Sequence, residues 1–196
     1  MNNKFINIKG NKVHETAVIN WDNLIIGRGN TFYPYCVIGT DAQHTYKKTE
    51  GKLKIGNNNI FREFVTINLP TDKKKITSVG NNCLFMTMSH VGHDCTLEDN
   101  IVLSNNVNIA GNTYIMQNSQ FGLNSIIHQD QVVGSYSMFG MGSVVNKKIV
   151  LKPGYIYVGS PAKGIIKNKV GLSRNNVTKK KLEDETKRFI KLRKNV

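Results

Sequence analysis

The chain has 196 residues, with 27 Lys and Arg against 13 Asp and Glu, a formal net charge of +14 and 39% hydrophobic residues. That length suits one domain with a real core plus an appendage, and leaves little room for two full domains. No apolar run approaches the roughly 18 residues of a membrane span, and the first residues do not resemble a signal peptide, so a cytoplasmic protein without a transmembrane segment is expected.

The basic balance implies an anionic partner. Neither aromatic stacking residues nor a recognition helix accompanies it, so nucleic acid is not expected. Cys36, Cys83 and Cys95 are odd in number and lack CxxC spacing, which argues against a disulfide framework and a structural zinc site.

Residues 1–12 are polar with little pattern. A six-residue beat begins weakly at Val13 and Ile19, slips at Trp21, and resumes at Ile26, Phe32 and Ile38. Two polar excursions interrupt it, 40–54 and 68–78, the second with three consecutive lysines. From Val79 to Val145 every sixth residue is apolar, twelve positions without a miss. At this composition chance gives such a run with a probability on the order of 10⁻⁵.

A helix repeats at 3.6 and an amphipathic strand at 2, so a period of six needs another geometry. It fits short straight sides, each with one inward residue followed by a turn. Three sides make an 18-residue coil, and coils stack as parallel strands about 4.8 Å apart. Four residues after each apolar position stand mostly small residues, including Ser89, Cys95, Ser119 and Ser143, as a tight corner requires. Asn-rich turns such as Asn57–Asn59 and Asn105-Asn106 suit left-handed backbone. The expected architecture is therefore all-β: a parallel β-helix over 1–160, then a basic tail, 161–196. One amphipathic helix is expected at 179–193, capped by Thr178, with Leu182, Phe189, Ile190 and Leu192 on its apolar side. The excursions project from the prism as loops that can cover a cleft.

His93-Asp94 is the clearest chemical signal. An imidazole titrates near neutrality, and an adjacent carboxylate fixes its tautomer, which makes a general base. Gly111 lies one coil beyond His93, where a backbone N–H can face an oxyanion. His90 lies three residues before His93. His128 lies 35 beyond it, close to two coils. These three histidines are also a zinc ligand set by number, but their spacing differs from that of the γ-class carbonic anhydrases, and no metal is expected. A solenoid scaffold without catalysis is the remaining alternative.

The segments Arg62–Asn68, His90-Val91-Gly92-His93-Asp94-Cys95-Thr96, Leu103–Asn106, Ala110-Gly111 and Ile127-His128-Gln129 resemble the bacterial UDP-N-acetylglucosamine O-acyltransferases of lipid A biosynthesis. The resemblance runs from about Val13 into the tail. It implies a left-handed β-helix and a homotrimer with sites between subunits. It also implies transfer of a 3-hydroxyacyl chain from the phosphopantetheine thioester of acyl carrier protein to a sugar nucleotide, UDP-GlcNAc. No permanently bound cofactor is implied. His93 then matches the general base, Asp94 its carboxylate and Gly111 the oxyanion donor. His90 and His128 match histidines lining the site, and Gln43 a loop residue near the sugar. Asn168 and Arg174 match tail residues that contact the nucleotide or the donor's arm.

Several positions depart from the family pattern. Asn112 stands in place of a second histidine and cannot titrate. His44 stands where many members have Asp. Met141 occupies a position where Gly lengthens the acyl groove, and is expected to favour a shorter chain. The closing segment, Gly142–Val145 with Val158–Lys163, is similar to the last coil of acetyl-CoA-dependent hexapeptide transferases. That similarity makes N-acylation or N-acetylation of a sugar nucleotide the second expectation.

Overall fold

A computed structural model describes residues 4–46, 48–147 and 149–194. The hexads form a left-handed parallel β-helix with three faces. One face is a ten-stranded sheet, the next has seven strands and the third six. In the regular part each strand pairs with the strand 18 residues on: Leu84 with Val102, His90 with Asn108, Thr96 with Tyr114. The ten-stranded sheet alone carries antiparallel edges, Phe5–Ile8 on Asn11–His14 at one end and Lys163–Lys167 on Tyr155–Val158 at the other.

The ladder positions point inward. Phe85, Val91, Leu97, Leu103 and Ile109 are all buried, as are the corner residues Cys83, Ser89, Cys95 and Ser119. Phe32, Phe61 and Phe85 stack with ring centroids 4.8 and 4.9 Å apart, the strand spacing itself. Burial pushes all three cysteine thiols up to about 12, so they pack as small apolar groups.

From Val79 to Phe139 each corner residue three places after a ladder position is left-handed: Asn82, Met88, Asp94, Asn100, Asn106, Asn112, Asn118, Asn124, Asp130, Tyr136 and Gly142. Asn, Asp and Gly tolerate that conformation best; Met88 and Tyr136 depart from them, as do Tyr35 and Phe64 at the same place in earlier coils. One corner of the first coils is held by a buried asparagine ladder. Asn11 Oδ1 accepts from the Asn30 backbone and side-chain N–H groups, Asn30 Oδ1 accepts from both of Asn59, and Asn59 Oδ1 accepts from Cys83 N–H.

The excursions are not wholly loops. Glu50–Ile55 and Thr71–Val79 are strands that pair in parallel, with a register irregularity between Thr71 and Ile76. The beat vanishes because these strands run past the prism edge, where no residue turns inward every sixth place.

The tail carries a strand and two helices where one helix is expected. α1 (Lys169–Arg174) follows strand Lys163–Lys167, and α2 spans Lys179–Arg193 with Thr178 capping it. On α2 Phe189 is buried against Met116 and Val132, whereas Ile190 is exposed, because the helix meets the prism along a narrower stripe than its composition suggests. Arg188 pairs with Glu98, whose carboxylate also accepts from Tyr114 Oη at 2.5 Å and Gln117 N–H at 2.9 Å. Among the described residues no helix is long and apolar enough to cross a membrane.

Candidate active site

His93 sits in the turn between the seven- and six-stranded faces, after strand His90–Val91. Its Nδ1 lies 2.9 Å from Asp94 Oδ2. Asp94 also accepts from Thr71 N–H at 2.9 Å, Thr71 Oγ1 at 2.7 Å and Lys75 Nζ at 3.3 Å. Burial pushes this carboxyl up, but the Thr71 bonds, His93 and the Lys75 charge together outweigh it and hold it at about 2. A carboxylate can only accept, so His93 Nδ1 carries the proton and Nε2 presents a lone pair.

That lone pair lies beside Gly111. A Cβ at Gly111 would stand 2.6 Å from His93 Nε2. Among the described residues the Gly111 N–H has no hydrogen-bond partner. A Cβ at Gly92 would stand 2.9 Å from that nitrogen, so the two glycines together leave it uncovered. A base and an unpaired donor therefore share one spot on the wall, as acyl transfer through an oxyanion requires.

Around them lies a cavity of about 260 Å³, lined by Gln43, Asn68, His90, His93, Asn108, Gly111 and Gln129 among others. Burial, and then the nearby His93, push the His90 imidazole below its ordinary range, so it is neutral at neutral pH. Its Nδ1 lies 2.7 Å from Thr66 Oγ1. His44 reaches in from the first excursion, its ring centroid 5.4 Å from that of His93. Asn68 is buried, and its Nδ2 donates to Asp41 O and Thr40 Oγ1.

The other expected residues stand apart. His128 is exposed and its Nδ1 donates to Gln129 O. Gln129 stands two full coils beyond His93 and lines the cavity, while His128, two coils beyond Gly92, does not line it. Asn112 turns its amide to Asp130 Oδ1, 2.8 Å away, in the next coil of its own corner column. Met141 is 75% exposed. Asn168 is buried as the cap of α1: its Oδ1 accepts from Gly171 N–H and its Nδ2 donates to Tyr136 O, so its amide is not open to a substrate. Arg174 is exposed in the last turn of α1. Among the described residues no three His, Cys, Asp or Glu side chains converge to hold a metal ion.

Thr71, Lys75, Asn68, Asn108 and Gln129 escape the sequence reading. Asn108 and Gln129 carry a signal, since they stand one coil beyond His90 and Gly111. Thr71 and Lys75 carry none, because the irregular strand sets their position.

No family model matches the chain. It is 33% identical over 165 residues to the acyl-[acyl-carrier-protein]–UDP-N-acetylglucosamine O-acyltransferase of Gloeothece citriformis, covering 84% of this chain and 59% of that protein. The protein of the same name from Sinorhizobium fredii is 39% identical over 153 residues, 76% of this chain and 55% of its own length. The chain thus spans little more than half of these relatives. The crystal structure of a UDP-N-acetylglucosamine acyltransferase from Bacteroides fragilis superposes with a TM-score of 0.80 at 35% identity, covering 90% of this chain and 69% of that one. With that identity over more than two thirds of a solved relative, the chain belongs to the UDP-N-acetylglucosamine acyltransferase family.

Proposed function

We propose that the protein transfers a 3-hydroxyacyl chain from the thioester of acyl carrier protein to a hydroxyl of UDP-GlcNAc, as in lipid A biosynthesis, in the cytoplasm. The observation that carries this reading is His93 Nε2, fixed as a base by Asp94, beside the unpaired N–H of Gly111.

The acceptor hydroxyl gives its proton to His93 Nε2 as its oxygen attacks the thioester carbonyl. The carbonyl oxygen becomes an oxyanion and accepts a hydrogen bond from Gly111 N–H. The C–S bond then breaks, and the imidazolium returns the proton to the departing thiolate. Asp94 stabilises the imidazolium without taking its proton. Amide side chains of Gln43, Asn108 and Gln129, with neutral His90, offer the donors and acceptors a sugar needs.

Surface features support association of copies as a trimer. Ile60, Leu84, Val102, Met138 and Ile156 line the outward side of the ten-stranded face, with Gln120 interrupting them between Val102 and Met138. Beside it the exposed rings of Tyr35 and Phe64 stack at 5.3 Å in strained left-handed corners, followed by exposed Met88. An exposed apolar patch of this kind supports an interface between copies. In a trimer with sites between subunits, as the family resemblance implies, the cavity gains a second wall from a neighbouring copy. The net charge of +14 suits an acidic carrier protein and a diphosphate.

The test offers purified protein UDP-GlcNAc or its 3-amino analogue, each with carrier-protein and CoA thioesters. Transfer to UDP-GlcNAc from the carrier protein, reduced about 10²- to 10⁴-fold in His93→Ala, is expected. Equal turnover by that variant, or acylation of the amino analogue alone, overturns the reading. Light scattering should report three chains.

A further inference from the structure

We propose that Lys75 is a positioning residue for the His93–Asp94 pair, delivered by a strand that lies outside the hexad frame. The proposal rests on the acyl-transfer reading above, and deepens it.

Strand Thr71–Val79 grips one residue of the neighbouring turn from several sides. Thr71 gives its N–H and hydroxyl to Asp94, Lys75 gives its ammonium, and Thr77 Oγ1 accepts the Asp94 backbone N–H at 2.9 Å. Thr71, Lys75 and Thr77 all reach Asp94 from this one strand, across the register irregularity between Thr71 and Ile76. Lys73 and Lys74, its neighbours in sequence, are exposed. The Asp94 side chain is 3% exposed and the Lys75 side chain 40%. The strand buttresses the pair from behind, leaving the cavity side of His93 open.

The Lys75 ammonium and His93 Nδ1 meet the same oxygen, Asp94 Oδ2. This has two consequences. It fixes the carboxylate, so the Nδ1 proton has one acceptor in one place. It also offsets part of the negative charge felt by the imidazole. A bare aspartate beside a histidine holds the imidazolium too well and keeps the base protonated. With Lys75 present the carboxylate orients the ring while Nε2 gives up its proton more readily. Among the described residues the other titratable groups near His93 are His90 on the preceding strand and His44 from the first excursion. Gly111 and Gln129 bring no charge. Among the described residues Lys75 is therefore the cation that pairs with Asp94 beside His93.

The test compares wild type with Lys75→Met, Lys75→Arg and Lys74→Met. The His93 ring resonance is followed by NMR against pH in the protein alone, and kcat/KM against pH with the carrier-protein thioester. In Lys75→Met the His93 titration and the acid limb of kcat/KM should both move upward, on the order of one pH unit. Lys75→Arg should restore both, and Lys74→Met should leave both in place. A merely structural role would lower the plateau without moving the limb. Lys75→Gln decides the same point should the Met variant fail to fold. An unmoved His93 titration in the charge-free variants overturns the proposal. If wild type turns over no donor, the acyl-transfer reading fails, and the NMR arm still decides the role of Lys75.

Discussion

The imidazole of His93 occupies the space that a side chain at Gly111 would need: a Cβ there would stand 2.5 Å from Cε1 and 2.6 Å from Nε2. The two residues are one coil apart, so the spacing of the β-helix itself presses the ring onto the glycine. Gly111→Ala must therefore tilt the ring away from Asp94 and cover the amide beside it. Turnover should fall about 10²- to 10³-fold. Gly111 is not in left-handed backbone, so the fold should persist. Kinetics and a melting curve on the same sample separate the two effects.

Asp94 links the site to stability. Its carboxyl is held at about 2, below the ordinary 3.8. A depressed folded-state value stabilises the fold above the unfolded value and is lost as pH falls through the folded one. The contribution is thus full above about pH 4 and gone below about pH 2, and amounts to about 2 kcal/mol. Asp94→Asn removes it and leaves Lys75 and both Thr71 donors without a carboxylate. The variant should melt lower than wild type at neutral pH, and the gap should close as pH falls toward 2. Melting curves across that range check it.

The hexad frame is legible because one inward residue per side is a local property, repeated until chance is excluded. His93, Asp94 and Gly111 are legible for the same reason, since adding 18 moves one coil along the wall. Applied strictly, that arithmetic also finds Gln129, 36 residues and two coils beyond His93, which lines the cavity where His128 does not. Where the frame breaks, the sequence falls silent. Thr71 and Lys75 reach Asp94 through an irregular strand pairing that no period encodes. The Asn11, Asn30 and Asn59 ladder spans steps of 19 and 29 residues, the second lengthened by excursion 40–54. α1 has six residues, too few to show a period, and its cap Asn168 reads equally well as a ligand-binding residue.

Met141 bears on chain length under the proposed transfer. It is 75% exposed, so no internal packing depends on it. Neighbouring Gly142 has a φ of +67° and open space about it, which leaves the turn intact when residue 141 changes. Met141→Gly should therefore fold as wild type does and accept longer acyl chains, with little change in rate for the preferred one. Competition among carrier-protein donors of graded length reads this directly. An unchanged length preference would remove Met141 from the groove.

Glu98 decides whether α2 stays on the prism. A fifteen-residue helix is marginal alone, so its order comes from docking. The docking surface is small: Phe189 is its one buried side chain, packed on Met116 and Val132. The polar half is one carboxylate that accepts from Arg188, Tyr114 and Gln117. Glu98→Ala leaves the half-buried Tyr114 hydroxyl and the Arg188 guanidinium without that acceptor, a loss of about 1–3 kcal/mol. Glu185 still holds Arg188, but it belongs to α2 itself and cannot tie the helix to the prism through that pair. Its bond from Gln117, and the bond that Arg188 gives to Tyr114 Oη, remain as polar links across the interface. Hydrogen exchange should therefore rise along α2 and stay unchanged in the hexad strands. Exchange that rises in both would mean that α2 and the solenoid unfold as one cooperative unit.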